Sequence, residues 1–406
     1  MLPVVSVVLS FFVILGLIRW KVPIGLAMLA GAIISAIGGG LFGRPMLEVT
    51  ILTLSSPTTW ELALTIGFVS ALGKIMEKAG LLTLLIENLR KIIRDTRIIL
   101  VALPSLIGML MFPGGAILSA PMVGELGNLQ KMNSAEKTFA NLMFRHLWHL
   151  IFPLIPSMIL ASQLARVNPL GIVAFNLPLA LVAFFVTFAI LFRGRGMGKN
   201  EDYEGFGIGA VLNLIKALGP MLLAIILGLV LDIYFPLALG AGILLVYVYL
   251  WMGEKLSFLK YLVFLFKSVN WNIFLAIFPI IYFKDVLEVG GAVEQVAFFF
   301  QDQGIPLPFL MIFVPFIGGF FTGSNTANIG ISFPLLLPMF PADNYVIYVG
   351  FAYLSGVVGY LVSPVHLCMI LTKDYFQCEL GKLYQVFLIP NGAVMFAAII
   401  LFMFLR

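Results

Sequence analysis

Ten apolar stretches, each long enough to cross a hydrocarbon layer about 30 Å thick as a helix, dominate this chain and leave it few ways to fold. They lie near residues 2–19, 22–41, 60–79, 138–165 and 169–192, then near 207–233, 235–252, 266–286, 343–371 and 383–405. Composition agrees with that reading. With 61% hydrophobic and 11% charged residues and a mean hydropathy of +1.09, the chain lacks the polar surface of a soluble domain. The net charge of +5 could suit a nucleic acid, but the basic residues sit in short loops between apolar runs, where they set topology. A nucleic-acid partner is therefore not expected, and the bilayer is.

Two further runs, 98–129 and 305–341, are interrupted at their centres by Gly, Pro and small polar residues, and read as re-entrant hairpins. Loop charge supports this. Leu2 to Leu17 has no basic residue before it and Arg19 and Lys21 after it, which places the N-terminus outside. With both hairpins returning to their own side, Arg90, Lys91, Arg94, Arg97, Arg193, Arg195 and Lys199 fall inside, while Arg44, Arg166 and Lys284 stay outside. Counting either hairpin as a full span would put Arg193, Arg195 and Lys199 outside. On this topology Arg145 marks the cytoplasmic end of its span, both termini lie outside, and 81–94 forms an amphipathic arm along the inner interface.

The polar segment 193–206 separates residues 1–192 from 207–406. Lys74, Gly80 and Pro113 are each followed 210 residues later by Lys284, Gly290 and Gly323, and Pro153 is followed by Pro364 after 211. The predicted fold is thus an all-α polytopic membrane protein with two repeats of about five spans. Each repeat has a re-entrant hairpin (98–129, 305–341) and a broken helix (138–165, 343–371). An odd span number inverts the second repeat relative to the first, the arrangement of internally repeated transporters, with hairpin tips meeting near the midplane.

Candidate ligand groups gather at those interruptions. The second tip offers Thr322, Gly323, Ser324, Asn325, Thr326 and Asn328, a neutral set of hydroxyls, amides and exposed backbone. Its oxygens suit a partly dehydrated Na+, with Ser324, Asn325 and Ser363 as ligands, while N–H groups at a half-helix start suit a carboxylate. A polar turn that satisfies its own backbone is the plainer alternative. The first tip, Pro113, Gly114 and Gly115, has only Ser119 nearby and would bind through backbone or serve as a tight turn. Pro153 and Pro364 free carbonyls that either coordinate a ligand or merely kink the helix. His149 and His366, with His146, suit proton relay or contact with a substrate carboxylate, although interfacial histidines need no such role. Glu125 suits a titrating gate or simply faces the cytoplasm. Lys74 with Glu77 and Lys284 with Asp285 read as interfacial anchors, and Cys368 and Cys378 as free thiols.

Inverted repeats, paired hairpins and Ser324-Asn325-Thr326 together resemble the ion transporter superfamily, and Phe112-Pro-Gly-Gly-Ala-Ile-Leu-Ser-Ala-Pro121 is most similar to its DUF401 group of prokaryotic membrane proteins. More distantly the chain resembles lactate and gluconate permeases and divalent-anion/sodium symporters. The resemblance implies a transport domain built from hairpins and broken helices, a scaffold of the remaining spans, a homodimer and elevator motion. Gly114-Gly115-Ala116 stands where a second Ser-Asn-Thr would be expected, so paired sodium sites are not implied. The expected function is secondary transport of a small organic anion, a carboxylate, across the prokaryotic cytoplasmic membrane. Na+ or H+ would couple it and no other cofactor is needed. The alternatives are an intramembrane serine hydrolase using Ser324 and His366, and a passive anion channel.

Overall fold

The computed structural model describes residues 2–109, 115–254 and 256–406. In the first half the helices are α1 (Leu2–Arg19), α2 (Ile24–Gly38), α3 (Arg44–Ser55), α4 (Pro57–Lys78), α5 (Leu81–Ile92), α6 (Thr96–Met109), α7 (Gly115–Leu129), α8 (Ser134–His146), α9 (Trp148–Ile151), α10 (Pro156–Ala165) and α11 (Pro169–Phe192). The second half contains α12 (Ile208–Ile225, continued by a π turn), α13 (Phe235–Glu254), α14 (Phe258–Ser268), α15 (Trp271–Val289), α16 (Ala292–Asp302), α17 (Leu307–Thr322), α18 (Asn325–Leu336), α19 (Tyr345–Leu361), α20 (Leu367–Tyr375) and α21 (Leu380–Leu405). Among the described residues seven helices are long and apolar enough to cross a membrane, with α8–α10 counted as one, or up to nine spans if each sharply bent pair, 55° at α14–α15 and 119° at α16–α17, counts as one.

Local chemistry sets the helix ends. Pro57, Pro156 and Pro169 occupy first turns, where their missing N–H is no loss. Asn133 and Glu136 form a reciprocal capping box at α8. The turns into α5 and α16 use Gly80 and Gly291 in the left-handed region, with φ of +73° and +61°. These two glycines are 211 residues apart, the spacing of Pro153 and Pro364, so the structural register at this turn differs by one from the 210 read off Gly80 and Gly290.

Packing follows an exchange rule. α1 lies on α2 as α12 lies on α13; α2 meets α15 as α13 meets α4; α1 meets α16 as α12 meets α5. The same exchange relates α6–α8 to α17–α19, α7–α20 to α18–α10, and α11–α19 to α21–α8, while α4–α15 and α11–α21 are their own counterparts. α17 crosses α19 closely, since glycines admit backbone to backbone: a Cβ at Gly359 would strike the Phe316 carbonyl, and one at Gly319 the Gly356 carbonyl.

Two features depart from a plain string of spans. The helices α3 and α14 fill stretches outside the expected runs, and Asp285 is buried beneath α3, accepting from Thr53 Oγ1 at 2.5 Å with Lys284 Nζ 3.5 Å away. Asp285 is thus an interhelical contact. The 193–206 segment is stitched down along its length: Arg195 pairs with Glu136 at 2.9 Å, Asp202 with Arg90 at 2.6 Å, and Asn200 Nδ2 donates to the carbonyls of Arg90 and Ile93.

Candidate ligand site at the crossed helix breaks

The first break opens where α9 ends at Phe152, whose backbone is extended (φ −94°, ψ 113°), and α10 resumes at Pro156. Pro153 has no N–H, so the carbonyl of His149, four residues earlier, loses its helical donor. Tyr353 on α19 replaces it, with its hydroxyl donating to the His149 carbonyl at 2.7 Å. The single Tyr353 proton being committed there, the Ser157 hydroxyl 3.2 Å away must donate to the Tyr353 oxygen, and Ser157 in turn accepts from Asn325 Nδ2 at 2.9 Å. The result is a directional run, Asn325 to Ser157 to Tyr353 to the His149 carbonyl, passing three times between the halves of the chain. Asn328 Nδ2 extends it to Asn325 Oδ1 at 3.4 Å, and Ser332 donates to the Asn328 carbonyl at 2.8 Å.

At the second tip, Gly323 turns the chain in the left-handed region (φ +59°), and Ser324 Oγ caps α18 by accepting the Ala327 N–H at 3.3 Å. The Thr322 hydroxyl lies 2.7 Å from the Gly318 carbonyl and 3.0 Å from that of Ser324. Thr326 is half-buried in the first turn of α18. This tip rests on the second break, since a Cβ at Gly323 would come within 2.9 Å of the Val365 backbone. Ser363, between α19 and α20, donates to the Phe320 carbonyl at 2.5 Å, while Pro364 beside it is exposed. Ser324 and Ser363 thus belong to one tip-on-break assembly, with Asn325 at its inner edge.

Of the first tip, Pro113 and Gly114 lie outside the described residues. Gly115 opens α7, and Asn141 Nδ2 donates to the Ala116 carbonyl at 2.9 Å and approaches Thr372 Oγ1 at 3.2 Å, so this helix start too is held by both halves. Ser119 is fully buried one turn on, 3.3 Å from the Ala116 carbonyl. Glu125 is exposed and pairs with Arg90 at 3.2 Å, apart from the buried network.

The three histidines converge with Tyr360. Ring centroids are 4.7 Å apart for His146 and His366, 5.1 Å for His146 and His149, and 4.1 Å for Tyr360 and His366. His146 Nδ1 faces the Leu142 carbonyl at 2.7 Å, which requires the proton on that nitrogen. Among the described residues neither ring nitrogen of buried His366 makes a well-aligned hydrogen bond, although the Leu361 backbone lies near the ring, and His149 Nδ1 has no partner. No hydrogen bond joins Ser324 to His366 among the described residues. The ligand atoms of His146, His366 and Cys368 lie within 4.8 Å of one another, a spacing a metal ion could draw together.

Arg145 differs from its expected place. Positioned by the loop-charge argument at the cytoplasmic interface, it is only 5% exposed. The capped start of α8 at Asn133 is where that helix begins, and twelve residues at 1.5 Å each carry Arg145 about 18 Å further along the axis. Gly108 makes room for it, for a Cβ there would collide with the Arg145 carbonyl.

Sequence reasoning missed Arg145, Ser157, Tyr353 and Tyr360 as site residues. Tyr360 was the one within reach, standing 211 residues after His149 as Pro364 does after Pro153.

Bundled apolar helices around crossed, polar breaks define an all-helical, multi-pass membrane protein. Residues 2–405 match the family described as a protein of unknown function, DUF401, and the chain belongs to that family. No curated protein matches it in sequence. Its fold is similar to the crystal structure of the Alcanivorax borkumensis YdaH transporter, with a TM-score of 0.60 and 12% identity over 89% of this chain and 87% of that one.

Proposed function

We propose that this protein is a secondary active transporter that moves a small organic anion, a carboxylate, across the prokaryotic cytoplasmic membrane, coupled to Na+ or H+. The observation that carries the reading is the directional run from Asn325 through Ser157 and Tyr353 to the His149 carbonyl. It concentrates polar groups where helices of both halves are broken, and polar groups at membrane depth are costly unless they serve a ligand. The similarity of fold to a transporter supports the class. The exchange rule in the packing supports two related repeats, 1–192 and 207–406; their inversion and the placing of both termini outside rest on the loop-charge argument. In this reading α6–α11 and α17–α21 form the moving unit, the remaining helices the scaffold, and a homodimer the assembly in which elevator motion occurs. Ser324 and Ser363 with nearby carbonyls are the proposed Na+ ligands; His149 and His366 are the proton-coupling alternative.

Reconstituted vesicles test it. Radiolabelled acetate, lactate and benzoate are offered under an inward Na+ gradient, an inward proton gradient, or neither. Accumulation above the substrate's own electrochemical equilibrium under one gradient is expected. Uptake that only equilibrates would make the protein a channel, and no protein-dependent uptake of any of the three would reject the carboxylate reading.

A further inference from the structure

Arg145 is a buried cation without a counter-charge. No carboxylate lies within ion-pair distance of it among the described residues, and its Nη1 has no hydrogen-bond partner. A guanidinium cannot shed its proton to escape the penalty, as a buried lysine or histidine can. Leaving one unpaired in a low-dielectric interior is strongly unfavourable. Its surroundings do not offset that cost. Among the described residues the side chains around it are His146, His149, His366, Tyr360 and Cys368, whose thiol shares a hydrogen bond with the guanidinium, and none of them is an anion in its ordinary state. They are rich in N–H and O–H groups, and His366 and His149 have ring nitrogens still unpartnered. A cation of metallic type would add positive charge beside the guanidinium, whereas an anion would complete Arg145 Nη1 and the open ring nitrogens of His366 and His149 once these carry the proton.

We propose that Arg145 is the residue that takes the substrate's carboxylate, its planar fork binding both oxygens while His366 and His149 donate from the flanks, and that the preferred ligand is a monocarboxylate. This rests on the organic-anion reading above and sharpens it. The neutral second tip then holds the coupling ion or the polar remainder of the ligand, and the charge is read at the first break. One guanidinium with neutral neighbours balances one negative charge, which disfavours dicarboxylates.

The test is thermal stability and direct binding on the purified full chain, with acetate, lactate and benzoate as probes, succinate as the dicarboxylate and lactamide as the uncharged match to lactate. Wild-type protein is expected to shift upward with a monocarboxylate and to ignore lactamide. Arg145→Met should weaken that binding about 30-fold or more, the lower end for removing one partner of a buried charge pair, while raising the melting temperature of the ligand-free protein. Arg145→Lys, which keeps charge but loses the fork, should fall between, and supplies the comparison if the methionine variant does not fold. Equal carboxylate affinity in wild type and Arg145→Lys or Arg145→Met overturns the proposal even where vesicle uptake succeeds. Carboxylate binding lost in these variants upholds it even where no gradient drives accumulation. Stabilisation by Zn2+ alone, abolished in His366→Ala and Cys368→Ser with all anions silent, would make the cluster a metal centre and overturn it as well.

Discussion

Replacing Tyr353 by phenylalanine tests whether one hydroxyl serves as the missing N–H of Pro153. The ring and its packing remain, so no cavity term arises. What is lost is the 2.7 Å bond to the His149 carbonyl and the 3.2 Å acceptor for Ser157. Interhelical hydrogen bonds in membranes average about 0.6 kcal/mol with a ceiling near 1.7, and a buried carbonyl left without a donor costs about 1–3 kcal/mol. Because the proline rules out a helical substitute, the upper part of the first range applies, and the expected loss is about 1.5 kcal/mol. The assay is equilibrium unfolding in mixed micelles with increasing SDS, followed by far-UV circular dichroism. Tyr348→Phe, on the same helix and without a hydroxyl bond among the described residues, should stay within about 0.5 kcal/mol of wild type. In the Ser157→Ala background the Tyr353→Phe cost should shrink by at least about 0.5 kcal/mol, since the two share a bond. A Tyr353→Phe loss no larger than that of Tyr348→Phe would refute the reasoning, and would show that the ring, not the hydroxyl, holds the break.

Gly359→Ala and Gly319→Ala should each destabilise by about 2 kcal/mol or more in the same unfolding assay, because the added methyl meets backbone that cannot rotate away; Gly240→Ala, with open space around it, should be near neutral. Ser324→Ala should cost about 1 kcal/mol through loss of the α18 cap and Ser324→Gly only a few tenths, so a glycine variant that is stable yet loses Na+-dependent binding separates ligation from capping. Burial alone would raise the Asp95 carboxyl, but hydrogen bonds and charge from Arg97, with the Gly198 N–H, outweigh it and hold the group below its ordinary value. A depressed folded-state pKa stabilises above the unfolded value and is lost as pH falls through the folded one, so Asp95→Asn should flatten the decline in melting temperature on the acid side of pH 4, measured by scanning fluorimetry.

The second tip and the helix breaks were legible because proline and glycine punctuate helices for reasons local to the backbone: α17 ends at Thr322 and α20 begins at Leu367, beside the tip and break read from sequence. Arg145 was misplaced because loop-charge reasoning treats every basic residue as an interfacial one, and nothing local distinguishes a guanidinium buried deep along α8 from one at its mouth. Ser157 and Tyr353 were invisible for a different reason. Each is an unremarkable residue in its own helix and acquires a role only through a partner 196 positions away. The helices α3 and α14 escaped notice because they are too short to register as spans and are fixed by packing against α15 and α4.

The interlocking of the halves also sets a timetable for biosynthesis. The first break is complete only when Asn325 and Tyr353 exist, and these follow Ser157 by 168 and 196 residues. At roughly 5–20 residues per second of translation, the His149 carbonyl and the Ser157 hydroxyl wait about 10–40 s in a half-built bundle. During that interval the nascent first half needs water, lipid headgroups or an insertion factor to shelter its open break. Slowing translation between residues 165 and 325 should therefore lower the yield of inserted protein more than an equal delay before residue 134.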